Sequence, residues 1–146
     1  MAFDSGVKKI RIDKRLYRYI EYELYHYEQY KKDIQVQRNR IIDGATTNDG
    51  QPKGTDIGNP TEMKGIKLMT SASIVSMERV VRAVDNALKS LGVQHDQIFK
   101  MLYISGRRDI YAMCDDMHVS YETFKRRKRE LIYRVGVELG LINILT

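Results

Sequence analysis

Cysteine is nearly missing from this chain: Cys114 stands alone, so no internal disulfide can form, and a reducing compartment suits the protein. Tryptophan is absent, and proline occurs only at Pro52 and Pro60. The histidines, His26, His95 and His118, are scattered, and with one cysteine they offer no zinc-ligand spacing, so no metal and no cofactor is expected. No apolar run suits a signal peptide or approaches the roughly 20 residues of a membrane helix, and the expectation is a cytoplasmic protein with no membrane partner. What the 146 residues do hold is charge: 25 Lys and Arg against 19 Asp and Glu, a formal net charge of +6. That excess leans toward a polyanionic partner.

Composition divides the chain into three parts. Residues 12–42 are rich in Lys, Arg, Glu and Tyr and contain no Gly or Pro. Residues 43–65 carry both prolines and five of the ten glycines, with almost nothing apolar, and read as a flexible linker that extends to residue 68. Residues 70–142 return to periodic apolar patterning. The expected layout is therefore an N-terminal helical arm over 1–42, a linker over 43–68 and a C-terminal domain over 69–146.

The arm contains "YRYIEYELYHYEQY", with six tyrosines between Tyr17 and Tyr30. Tyrosine favours strands, but Ile20, Tyr27, Ile34 and Ile41 recur every seven residues, with Leu16 and Leu24 one turn from Ile20. That period predicts a long amphipathic helix with a pairing seam, used within the chain or across a homo-oligomer. Stacking of nucleic-acid bases on the tyrosines is the competing reading; packing against a partner helix, hydroxyls at the rim, is the commoner use of such residues.

In the third part, Thr70 or Ser71 can cap a helix whose stripe is Ile74, Met77, Val81, Val84, Leu88 and Leu91, ended by Gly92 in a left-handed conformation. A second helix follows with Asp96 in its first turn and Ile98, Met101, Leu102 and Ile104 on one face, ended by Gly106. Ile110, Met113, Cys114 and Met117 then make a short apolar face. After a break at His118 and Val119, Ser120 is a natural N-cap, its side chain accepting from the N–H of Glu122 or Thr123. The next helix runs from about Tyr121 to Glu138 with Phe124, Leu131, Val135 and Leu139 inward and the stem of Arg127 along that face. A short helix, a tight turn and a capped second helix is the helix-turn-helix plan.

This placement gives the run "KRRKR", Lys125 to Arg129, a meaning beyond a solvated helix face. At about 100° per residue, Glu122, Arg126, Arg129 and Tyr133 oppose the buried stripe, with Lys125 at the flank and Tyr121 at the N-terminal end. From Ser120 to Arg134 six basic residues stand against Glu122 and Glu130. The N-terminal half of such a helix enters the major groove, where Arg and Lys meet guanine edges or phosphates and Glu accepts from a cytosine amino group. Base-facing roles fall to Tyr121, Glu122, Lys125 and Arg126. Phosphate roles fall to Arg129 and to Arg107 and Arg108 before the preceding helix, with Ser120 and Thr123 at the turn. Asp115 and Asp116 read as exposed acids, and Cys114 as a small buried residue.

The stretch "ALKSLGVQHDQIFKMLYISGRRDIYAMCDDMHVSYETFKRRKREL" resembles the −35-reading C-terminal domain of bacterial sigma factors. Over residues 14 to 140 the chain resembles the RinA/ArpU-type transcriptional regulators of bacteriophages and prophages, through "YELYHYEQYKKDI", the Gly/Pro/Thr-rich middle and "CDDMHVSYETFKRRKRELIYRVGVELG". Phe124 and Arg127 depart from that family's pattern of small or aliphatic residues. The resemblance implies an all-α protein with a sigma-like helix-turn-helix domain of about four helices, in the cytoplasm of the bacterial host cell. It implies a regulator that binds double-stranded promoter DNA to switch on late genes, with host RNA polymerase a possible partner. Two other classes compete. A small terminase-like DNA-packaging protein also joins a helix-turn-helix to oligomerising helices. A tyrosine recombinase would need His-x-x-Arg beside a tyrosine nucleophile, and neither His95 nor His118 has Arg three residues on, so the expectation is that the chain is not an enzyme.

Overall fold

The computed structural model describes residues 11–50 and 60–143, with side chains described for 11–40 and 72–143. The fold is all-α, and no strand occurs among the described residues. In chain order these hold α1 (Lys14–Gly50), α2 (Pro60–Ser90), α3 (Val93–Phe99) running into a π-helical turn (Lys100–Ile104), α4 (Ile110–Met117) and α5 (Tyr121–Glu138). No helix among them is long and apolar enough to cross a membrane.

The helices reach further into the expected linker than its composition suggests. α1 continues to Gly50 and α2 starts at Pro60, ten residues before Thr70, so neither Thr70 nor Ser71 caps it. Glycine inside a helix costs about 1 kcal/mol, which long neighbouring helical runs can offset. Proline is well suited to a first helical position, because its missing N–H would have no partner there. Residues 51–59 of the expected linker lie outside the described residues.

The chain forms two compact units. One joins Met1–Tyr27 to Arg82–Thr146; the other is Glu28–Val81. In the second, Ile74, Met77 and Val80 are buried, Ile34 is half-buried, and Arg38 pairs with Glu78.

The first unit holds the candidate site. Its core takes Ile20, Leu24 and Tyr27 from α1, and Ala83, Val84 and Ala87 from α2. Ile98, Phe99, Leu102 and Tyr103 come from α3 and the π turn, Met113 and Cys114 from α4, and Phe124, Leu131, Ile132, Val135 and Leu139 from α5. The seven-residue seam is thus used within the chain at Ile20 and Tyr27. Tyr27 meets Phe99 edge to face with ring centroids 5.2 Å apart, and its hydroxyl donates to Asp85 Oδ1 at 2.6 Å. Tyr103 packs edge-on to Tyr25 at 4.7 Å and donates to Glu21 Oε2 at 2.8 Å. These contacts make packing groups of Tyr25, Tyr27 and Tyr103, each a ring against a neighbouring helix with a polar rim. Gly136 of α5 lets α1 come close, because a Cβ there would lie 2.7 Å from Ile20 Cδ1 and 2.6 Å from Ile142 Cδ1.

Two further expectations need correction. Gly92 is extended (φ −105°, ψ −173°), not left-handed, because α3 begins directly after it and uses it as its N-cap. Ile104 is exposed. The π turn, closed by Ser105 N–H donating to Lys100 O at 2.8 Å, widens the helix so that residues four apart line up inward. Ile98 with Leu102 and Phe99 with Tyr103 then face the core, and Met101 is half-buried. Gly106 is left-handed (φ 71°), as a helix-ending glycine should be.

Candidate nucleic-acid interface

The link between α4 and α5 is short and tightly defined. Asp109 caps α4 by accepting from Ala112 N–H at 3.1 Å. His118 ends that helix in a left-handed conformation (φ 58°, ψ 44°), with its N–H on Asp115 O. Histidine is among the non-glycine residues that tolerate this region best. Ser120 then starts α5: its Oγ accepts from Thr123 N–H at 3.1 Å and donates to Thr123 Oγ1 at 3.0 Å. Ser120 and Thr123 therefore shape the turn with their hydroxyls.

Beneath the turn, Phe124, Leu131, Val135 and Leu139 are buried in the expected stripe, joined by Glu130, Ile132 and Gly136. That burial fixes which way the basic run faces, and it splits the run in two. Lys125 and Arg126 point to water, with Glu122 exposed beside them, and Arg129 is half-buried. None of Glu122, Lys125, Arg126 or Arg129 makes an ion pair among the described residues. Arg127 and Lys128 turn inward. Arg127 donates to Gln94 Oε1 and to Glu130 Oε1, both at 3.1 Å. Lys128 pairs with Glu21 Oε2 at 3.1 Å, with its ammonium 5.8 Å from the centre of the Tyr17 ring. Burial opposes the Lys128 charge, but Tyr17 and Glu21 outweigh it and raise the pKa above the ordinary lysine value.

The preceding basic pair also divides. Arg107 Nη1 lies 2.7 Å from Asp116 Oδ2 and 3.4 Å from Met101 Sδ, tying the end of the π turn to α4. Arg108 is exposed. Asp115 and Asp116 are exposed, and no cluster of three or more metal-ligating side chains occurs among the described residues. Cys114 is buried, which pushes its thiol pKa up and away from the reactive thiolate.

Two arrangements escaped the sequence. His95 Nδ1 accepts from Gly92 N–H at 3.1 Å, which leaves Nε2 to donate to Glu130 Oε1 at 2.8 Å. Glu130 is 1% exposed, so α3 and α5 share a buried polar joint behind the basic face. A glutamate in a basic run and a distant histidine carry no local signal of pairing. The second is Tyr111 of α4, which is exposed and stacks on Tyr121 with centroids 5.3 Å apart and planes at 21°. Lys125 Nζ lies 4.9 Å from the Tyr121 ring centre. Tyr111 sits on the water side of a short helix, where apolar periodicity says nothing about it.

The outward surface at the start of α5 thus joins an acid, two cations that make no ion pair among the described residues, and an aromatic pair. Such a surface can bind a polyanion and hydrogen-bond to base edges at once. No family model matches this chain, and no solved structure matches it. The chain is similar to the transcriptional activator rinA of Staphylococcus phage phi11: 25% identical over 141 residues, covering 91% of this chain and 96% of that protein.

Proposed function

We propose that this protein is a phage or prophage transcription regulator that binds double-stranded promoter DNA, with α4 and α5 as its helix-turn-helix and the first turns of α5 in the major groove. In this reading Tyr121, Glu122, Lys125 and Arg126 face the bases, and Arg129 and Arg108 meet phosphates. Arg107 joins them by exchanging Asp116 for a phosphate. Activation of late genes, and contact with host RNA polymerase, extend the same reading by way of the similar phage activator and the family resemblance.

The observation that carries the proposal is the division of the basic run. Arg127 and Lys128 are spent on internal partners, whereas Lys125 and Arg126 face water beside Glu122 on a capped helix start. A surface built only for charge would gain from losing that acid, because a carboxylate repels phosphate. A surface that reads bases uses it against a cytosine amino group.

The test is binding to a duplex selected by the protein from a randomised pool, and to its scrambled counterpart, at several salt concentrations. Glu122→Ala and Arg126→Ala should each narrow the preference for the selected duplex, by roughly 1–3 kcal/mol at one base pair. Arg129→Ala should weaken both duplexes about equally and lower the salt slope by about one. Equal losses on both duplexes for all three variants would reduce the face to electrostatics and end the recognition-helix reading.

A further inference from the structure

Tyr111, which stacks on the base-facing Tyr121, has no role in the reading above. Tyr111 is 69% exposed and Tyr121 37%, so the pair contributes little to the core. The two rings nonetheless come from different helices, the second residue of α4 and the first of α5, and lie 5.3 Å apart at 21°. Lys125 adds its ammonium 4.9 Å from the Tyr121 ring centre. The result is a two-ring surface with a cation over the Tyr121 ring and the widely exposed Tyr111 ring left open, adjoining exposed Glu122 and Arg126.

Few groups match such a surface. On the floor of the major groove the thymine 5-methyl is the apolar group that distinguishes a base, and its neighbours are carbonyl acceptors and phosphates. A methyl group rests favourably on an aromatic face, and an ammonium beside it finds an acceptor on the same nucleotide. A stack held between two helices is also ordered before DNA arrives, so less conformational freedom is lost on contact.

We propose that Tyr111 and Tyr121 form a second reading element that takes a thymine 5-methyl group, with Lys125 donating to an acceptor beside it. This rests on the DNA-binding reading above. It makes Tyr111, on the helix before the recognition helix, a specificity-determining residue. Tyr111 acts through its own ring face and through the position it imposes on the Tyr121 ring and hence on Lys125.

The experiment uses the full chain and a duplex selected from a randomised pool. Each thymine of that duplex is replaced singly by uracil, which removes only the methyl. At one position, at the edge of the bases read by Glu122 and Arg126, the wild type should lose about fourfold in affinity, the factor for one buried methyl group. Tyr111→Ala should bind the thymine and uracil duplexes equally, and Tyr111→Phe should restore the difference, because the ring and not the hydroxyl carries the contact. Thermal unfolding of each variant, and the preference for selected over scrambled duplex, confirm that the rest of the interface is intact. A wild type that binds the selected duplex but ignores every thymine-to-uracil change overturns this inference alone. So does a selected duplex without thymine at that edge, or a Tyr111→Ala variant that keeps the full difference. A chain that enriches no duplex overturns the DNA-binding reading and this inference together.

Discussion

Lys128 of α5 and Glu21 of α1 form an ion pair at 3.1 Å, two residues along from Arg126, which faces water. Neighbours in one basic run therefore serve different ends. Both members of the pair are about three-quarters shielded, and Tyr103 shares the same Glu21 oxygen. Lys128→Ala should cost about 1–2 kcal/mol of stability, between the values for exposed pairs and for charged hydrogen bonds. It should leave the DNA affinity of the folded fraction unchanged. Arg126→Ala should do the reverse, with an unchanged melting temperature and weakened binding. Melting curves and duplex titrations on the two variants check this, and identical profiles for both would refute the division of the run.

The His95–Glu130 joint should govern how firmly α5 is held against α3. Truncating His95 leaves the Gly92 N–H without its acceptor and removes a donor from a carboxylate that is 1% exposed. An unsatisfied buried group costs about 1–3 kcal/mol, and more when it is charged. His95→Leu should therefore destabilise by at least that range in urea unfolding. Glu130→Leu added to it should cost less than the sum of the two single changes, because the stranded charge is gone. Strict additivity would mean that the two side chains do not act on each other.

Much of this architecture is legible in the sequence because it follows from period and capping. α5 spans Tyr121–Glu138 as its Ser120 cap and apolar stripe predict, and α1 is the long helix that its seven-residue spacing predicts. The failures are local and physical. A π turn breaks the 3.6-residue period, so Ile104 faces outward. Gly92 serves the following helix and not the preceding one. Partners distant in sequence stay hidden altogether: nothing near Lys128 points to Glu21, and nothing near Glu130 points to His95. Charge counting treats all five residues of the run alike, although the burial of Phe124 and Leu131 determines which of them reach water.

Alkaline conditions should unfold this protein sooner than its lysine content alone would cause. Burial raises the pKa of Tyr103, and the charge of Glu21 and the hydrogen bond to it raise it further; burial also raises that of Tyr17, and Lys128 is raised as well. In each case the folded state holds its proton more tightly than the unfolded chain does. Their contributions are fully present below the ordinary tyrosine and lysine values of 10.0 and 10.5, and are lost as pH rises above them. Urea unfolding at rising pH should show stability falling from about pH 10. Tyr103→Phe should be less stable at neutral pH by about 1 kcal/mol, through loss of its hydrogen bond, yet show a shallower alkaline decline. A decline as steep in Tyr103→Phe as in the wild type would exclude Tyr103 as a source.

The first turns of α1 should prove inseparable from the C-terminal helices. Ile20 and Leu24 are fully buried, Tyr27 reaches Asp85 and Phe99, and Glu21 binds both Tyr103 and Lys128. Gly136 is matched to this packing by leaving room for Ile20. A fragment of residues 69–146, a self-sufficient domain on composition alone, would expose the apolar surface that these residues cover. It should melt well below the full chain, and a peptide of residues 11–30 added in trans should raise its melting temperature with increasing concentration. Within the full chain, Leu24→Ala should cost about 2–5 kcal/mol, the range for a fully buried leucine. Ile34→Asp, at a half-buried site in the other compact unit, should leave the environment of Tyr103 unchanged. Thermal unfolding monitored by tyrosine fluorescence separates these outcomes. If the 69–146 fragment melts where the full chain does and ignores the peptide, the assignment of α1 to the core it shares with α3, α4 and α5 is wrong.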